Sequence, residues 1–292
     1  MEHPRAPNQR HRLLTSIDAT YACRMGSRSR LGSSSGRRVL VALACGVSLL
    51  AASPAHGAET VTITEARFSP NVLGEATNAF GSATIASTDG PVPSPITHVN
   101  VFGPAGVTLN LEGSGTCSEE ALKQLGPSAC PTDSKAGSGG GEGVYELSHE
   151  IITEPYTIEF FLSDNKPGQV ALLVFLKGSS PVSIEIVFPA TVIHGPPPYG
   201  LGFSVDVPLI KVLPEASDAS AQTASLMLGA KGATYVKKVH GKKERLHVKG
   251  IILPTHCPKG GWPVASQFSF QDGSTVFAKR TIPCPKSKSR HH

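Results

Sequence analysis

The chain has 292 residues with 27 Lys or Arg, 22 Asp or Glu and 11 His, a formal charge of +5 with His neutral. Aromatic residues make up 6% of the total, with a single Trp. That is sparse for a platform that stacks on sugars. The rings are not interleaved with lysines as base stacking requires, so nucleic acid is not an expected partner.

The charge is unevenly spread. Residues 1–57 carry eight Arg against Glu2 and Asp18, residues 58–230 carry 18 acids against six bases, and residues 231–292 carry 13 bases against two acids. Such a split points to a charged partner, or to compensation within the molecule.

In chain order, the first element is a leader. Residues 39–52 read VLVALACGVSLLAA, preceded by Arg37-Arg38 and followed by Ser53-Pro54-Ala55-His56-Gly57. A basic flank, a short apolar core and small residues near a cut describe a secretory signal peptide, and cleavage is expected after Gly57. The core is shorter than the roughly 20 residues of a spanning helix, which leaves an uncleaved anchor as the rival. A leader of 57 residues exceeds the usual length of about 15–30, and Met25 is a candidate true start. Arg37-Arg38 also fits a twin-arginine signal. Cys45 lacks a lipobox and reads as part of the apolar core.

From residue 58 the pattern is β. Val107–Glu112, Tyr156–Leu162, Val182–Phe188 and Phe203–Val207 alternate apolar and polar residues, the signature of sheets with one wet face. In the second of these, Tyr156, Ile158, Phe160 and Leu162 share a face. Ser118–Leu125 is the one convincing helix, with Ser118 as N-cap, Glu119 and Glu120 in its first turn and Gly126 past its end. Pro91–Pro95, Ala136–Gly143 and Gly195–Gly200 read as connections, the glycine run as a flexible loop. Tyr199, after three prolines, is a candidate contact residue. Many short strands joined by turn-rich segments predict an all-β fold, an antiparallel β-sandwich or jelly roll over 58–286. Residues 214–222 are a candidate division within it, and residues 287–292 a basic disordered tail.

Asp272-Gly273 signals a two-residue hairpin turn. That register places Phe268 opposite Phe277 and Phe270 opposite Thr275, with the aromatic face inward. Tyr235–Arg245 is a second hairpin, turned at His240-Gly241. It clusters Lys237, Lys238, Lys242, Lys243 and Arg245 as a candidate surface for an anionic envelope polymer, phospholipid or acidic polysaccharide.

Four cysteines follow the leader: Cys117, Cys130, Cys257 and Cys284. An even number behind a signal peptide reads as disulfides. Three pairings are possible, and proximity favours Cys117–Cys130 and Cys257–Cys284. Neither pair has C-x-x-C spacing. There is no G-x-S-x-G, no phosphate loop and no H-E-x-x-H, so no catalytic residue, metal ligand or cofactor is assigned.

Two segments carry a resemblance: T-C-S-x(3)-L-x(3)-G-P-x-x-C-P-x-x-S-x-x-G from Thr116 to Gly137, and C-P-x-G-G-x-P-x(6)-F-x-D-G-S-T-V from Cys257 to Val276, closing on Pro-Cys-Pro. With these the chain resembles a group of uncharacterised secreted proteins of high-GC Gram-positive bacteria. The resemblance implies export and a shared scaffold, and no activity. The expectation is a secreted or envelope-associated, non-catalytic β-sandwich that binds an anionic surface polymer through its basic C-terminal third. The alternatives are an envelope hydrolase assembled from dispersed groups, with His98, His149 or His194 as base, and a structural module of an extracellular assembly.

Overall fold

A computed structural model describes residues 59–163, 170–179, 182–229 and 234–285, and of residues 237–239 the backbone. The leader, with its candidate cleavage site, and the C-terminal tail lie outside the described residues.

Among the described residues the fold is antiparallel β with one α-helix. The strands are β1 (Glu59–Ser69), β2 (Ala76–Ser87), β3 (Ile96–Pro104), β4 (Thr108–Asn110), β5 (Lys135–Leu147), β6 (Glu150–Leu162), β7 (Ala171–Gly178) and β8 (Ile184–His194). After them come β9 (Tyr199–Asp206), β10 (Ser220–Leu228), β11 (Thr234–Val239), β12 (Lys242–His247), β13 (Gly250–Ile252), β14 (Trp262–Phe270) and β15 (Thr275–Ile282). Helix α1 spans Glu119–Leu125.

One sheet runs β15-β14-β3-β9-β8-β7-β6-β5-β10-β2, and β2 continues to β1 along one stretch and to β13 and β4 along another. The sheet bends until its two edges meet. The Arg280 guanidinium on β15 donates to Ile63 O at 2.6 Å and Thr64 O at 2.7 Å on β1, where the β1–β2 register slips at a bulge. The opposed layers expected of a sandwich are therefore halves of one continuous sheet, wrapped around a common interior. This contact brings the two edge strands together through a side chain, without a backbone ladder between them.

Alternation decides which side faces in. Ile158 and Phe160 of β6, Leu172 and Val174 of β7, Phe188 of β8, and Phe203 and Val205 of β9 form the central cluster. Between them, on β1, β6 and β8, Thr60, Thr62, Arg67, Thr153, Thr157 and Glu185 are exposed. Apolar inside and polar outside is the reverse of a barrel that faces lipid.

Where the outer face is apolar, it is covered. Phe161, Leu173 and Phe175 point outward and pack beneath α1, through Leu122 and the Cys117–Cys130 disulfide. The Ser118 hydroxyl caps this helix by accepting from Ala121 N at 3.2 Å. At one end, Trp262 is fully buried with Phe68, Leu253 and Ile282, and its Nε1 donates to Asn71 Oδ1 at 3.0 Å. The Cys257–Cys284 disulfide ties the loop before β14 to the residue stretch after β15.

Three sequence expectations change. The glycine run 137–143 is strand β5, paired with β6 on one side and β10 on the other, and not a loop. Residues 214–222 do not divide the sheet: Val212 and Ala216 pack on Tyr145, and β10 begins at Ser220 within the main sheet. The β14–β15 register is Phe268↔Val276 and Gln267↔Phe277. Phe270 N donates to Ser274 O, Gly273 N donates to Phe270 O, and Gly273 has φ +87°. This is a three-residue loop closed by a left-handed glycine, one residue longer than a tight turn. A slip of one residue flips a face. Phe277 therefore points outward, where its ring lies 6.4 Å from Phe102 and 6.1 Å from Tyr199.

Candidate functional site: the barrel interior

The bent sheet surrounds a partly open cavity of about 420 Å³, lined by most of its strands. Its walls are overwhelmingly apolar, among them Val101, Ile158, Phe160, Leu172, Phe188 and Phe203. Ligand pockets for small molecules run from about 300 to 1,000 Å³. Interiors are otherwise packed to crystal density.

Strand β5 forms part of the wall, and its glycines set how closely the neighbouring strands approach. Gly137, Gly139, Gly141 and Gly143 sit opposite Phe160, Ile158, Tyr156 and Glu154 of β6, on the inward face. With no side chain of their own, the glycines let the β6 side chains lie over β5 and let β10 approach. A Cβ on Gly137, Gly139 or Gly141 would overlap the carbonyl oxygen of Met227, Ser225 or Thr223 respectively. Tyr156 reaches across the glycine strand, and its Oη donates to Thr223 O on β10 at 2.7 Å. Burial holds the Tyr156 hydroxyl well above its ordinary pKa.

The polar groups of the interior gather toward the end formed by the β5–β6 hairpin. Glu154 is 6% exposed and Tyr145 1% exposed, and both line the cavity. They are diagonal neighbours on one face, since Gly143 pairs with Glu154 and Tyr145 with Ile152. Burial raises the Tyr145 pKa above its usual 10.0, and the Glu154 charge raises it further.

The three candidate histidines do not converge. His149 is in the β5–β6 turn, with φ +68° and its ring 3.4 Å from Glu146. His194 is exposed at the end of β8. His98 lies on the outer face of β3, with Nδ1 2.6 Å from Asp206 Oδ1 and Nε2 3.2 Å from Ser204 Oγ. These contacts echo a Ser-His-Asp triad, but two features set it apart. Nε2 also lies 3.1 Å from Asn100 Oδ1, so it is shared between Asn100 and Ser204 and not committed to the serine. Ser204 is mid-strand, paired with both Asn100 and Thr191, so its neighbouring amides serve the ladder instead of an oxyanion. The group is a cross-strand polar ladder.

Among the described residues no three His, Cys, Asp or Glu are placed to hold a metal, and no helix is long and apolar enough to cross a membrane. The basic hairpin is its own two-stranded sheet, with His240 at φ +48° and Gly241 at φ +83° making the expected tight turn. Lys242, Lys243 and Arg245 are exposed, while the side chains of Lys237 and Lys238 lie outside the described residues. Tyr199 stacks on Phe102 with centroids 5.9 Å apart. No family model matches the chain, and no curated protein matches it.

Sequence reasoning found both disulfide pairs and the helix cap. It missed the cavity, and with it Tyr145 and Glu154. The period-two spacing of the glycines at 137, 139, 141 and 143 was a signal for strand β5, not for the cavity.

Proposed function

We propose that the chain is an exported binding protein that carries an apolar small molecule inside its barrel. The observation that carries this reading is the cavity of about 420 Å³ with walls of Val, Ile, Leu and Phe. Burying apolar surface there is favourable at roughly 25 cal/mol per Å², and water gains little in a space with so few hydrogen-bonding partners. The signal-peptide pattern of residues 37–57 and the two disulfides support export. The test is a titration of the full chain with the fluorescent apolar probe N-phenyl-1-naphthylamine. Saturable, blue-shifted binding is expected. It should weaken at least tenfold in Val101→Phe, which fills the interior, with the circular dichroism unchanged. Absence of saturable binding to the folded wild type would refute the reading.

A second reading keeps the basic hairpin as a surface for an anionic envelope polymer. It is favoured by the register, which sets Lys238 opposite Lys243. Like charges directly opposed destabilise a hairpin, so the pairing serves something other than stability. Co-sedimentation of the full chain with purified envelope should fall steeply with salt, and should be lost when Lys237, Lys238, Lys242 and Lys243 are neutralised. No binding at low salt would remove this reading.

A further inference from the structure

Resting on the lumen-binding reading, we infer that the occupant is an amphiphile bearing a terminal hydroxyl, held by its head at Tyr145 and Glu154 with its apolar tail along the barrel. The inference starts from hydrogen-bond accounting inside the cavity. Neighbouring buried hydroxyls are satisfied: Tyr156 donates to Thr223 O at 2.7 Å and Ser220 donates to Pro93 O at 2.5 Å. The Tyr145 hydroxyl is buried without a partner among the described residues. An unpaired buried hydroxyl is costly, and native structures rarely leave one. Tyr145 lines the cavity, so an occupant can supply the missing bond.

The neighbouring carboxylate narrows the chemistry. Glu154 is buried on the same face and lines the same cavity. A Cβ placed on Gly178 would lie 2.5 Å from its Oε1, so the glycine makes space for this carboxylate. Its charge acts on Tyr145, as the raised pKa of that hydroxyl reports. A tyrosine hydroxyl can donate or accept, whereas a carboxylate only accepts. A ligand hydroxyl can accept from Tyr145 and donate to Glu154. A fatty carboxylate would bring a second negative charge into a low-dielectric interior and is disfavoured. An alkane would leave the tyrosine unpaired.

The experiment displaces N-phenyl-1-naphthylamine from the full chain with 1-dodecanol, dodecanoate and dodecane, in the wild type and in Tyr145→Phe. In the wild type, dodecanol is expected to compete about tenfold better than either of the others, the worth of one buried hydrogen bond. In Tyr145→Phe, with competition scaled to the variant's own affinity for the probe, the preference for dodecanol over dodecane should be lost. Equal competition by dodecanoate in the wild type, or an unchanged preference in the variant, overturns the inference while leaving the lumen reading intact. Failure of the probe itself to bind the wild type would instead strike the lumen reading. Should Tyr145→Phe not fold, the order of the three competitors on the wild type decides by itself.

Discussion

Two alanine substitutions in β5, four residues apart, should act in opposite directions. At Gly139 an added Cβ would overlap Ser225 O and come within 3.2 Å of Leu226 Cα on β10. Both are backbone atoms of a paired strand, so relief requires β5 and β10 to separate. Overpacking of this kind costs about 1–3 kcal/mol, and about 2 kcal/mol is expected for Gly139→Ala. At Gly143 the nearest atoms to a new Cβ are Ser220 O at 3.5 Å and Glu154 O at 3.7 Å, ordinary van der Waals contact. There the change restricts the unfolded chain with no strain in the folded one, and Gly143→Ala should add about 0.5 kcal/mol. The variants then differ by about 2.5 kcal/mol. With a urea slope near 2 kcal/mol per M, their midpoints separate by a little over 1 M. Urea melts followed by Trp262 fluorescence and by far-ultraviolet circular dichroism would measure this. Equal small shifts of one sign in both variants would refute the close approach of β5 to β10 and restore a loose glycine loop.

Two further outcomes follow from the interior and the staples. Burial places the Tyr145 and Tyr156 hydroxyls above their ordinary pKa of 10.0 in the folded state. The folded chain therefore holds these protons more tightly than the unfolded chain. The associated stability is complete below about pH 10 and is lost as pH climbs beyond it. Urea midpoints between pH 8 and 12 should fall, and fall less in Tyr145→Phe/Tyr156→Phe; identical alkaline slopes would contradict the burial of the two hydroxyls. Replacing Cys257 and Cys284 by Ser opens a link across 27 residues, worth about 3 kcal/mol in the chain-entropy model, and the urea midpoint should fall while the slope rises as the unfolded chain expands.

Much of the fold was legible because its signals are local. Alternation from Tyr156 to Leu162 survives in β6 with the same residues facing inward. Cys117 and Cys130 flank a helix that the Ser118 cap and Gly126 delimit by themselves. What the sequence hid is non-local. Closure of the sheet depends on β1 and β15, more than 200 residues apart in the chain, meeting through Arg280 and two carbonyls of β1. Nothing in either segment announces the other. Gly137–Gly143 misled for a related reason. A glycine-rich stretch is flexible when nothing lies against it, and a strand when bulky neighbours on both sides cover it, and those neighbours come from elsewhere in the sequence. The hairpin at Asp272-Gly273 shows how small a local error suffices: one extra residue in the loop moved Phe277 from the interior to the surface.

The same reasoning explains why the candidate site escaped a motif search. Catalytic motifs are recognised because their residues cluster in sequence or in fixed spacing. A binding barrel spreads its function over one residue in two along many strands, and each contribution is a plain Val, Leu or Phe that would sit equally well in any core. The distinguishing residues are those that a well-packed core would not choose. Gly137, Gly139 and Gly141 are set by the close approach of β10, and Gly143 is the glycine of this run that borders the cavity. Tyr145 and Glu154 put polar groups where an apolar pair would pack more favourably. That choice sacrifices stability inside the cavity, and it is the argument for a ligand, because packing alone would not favour it.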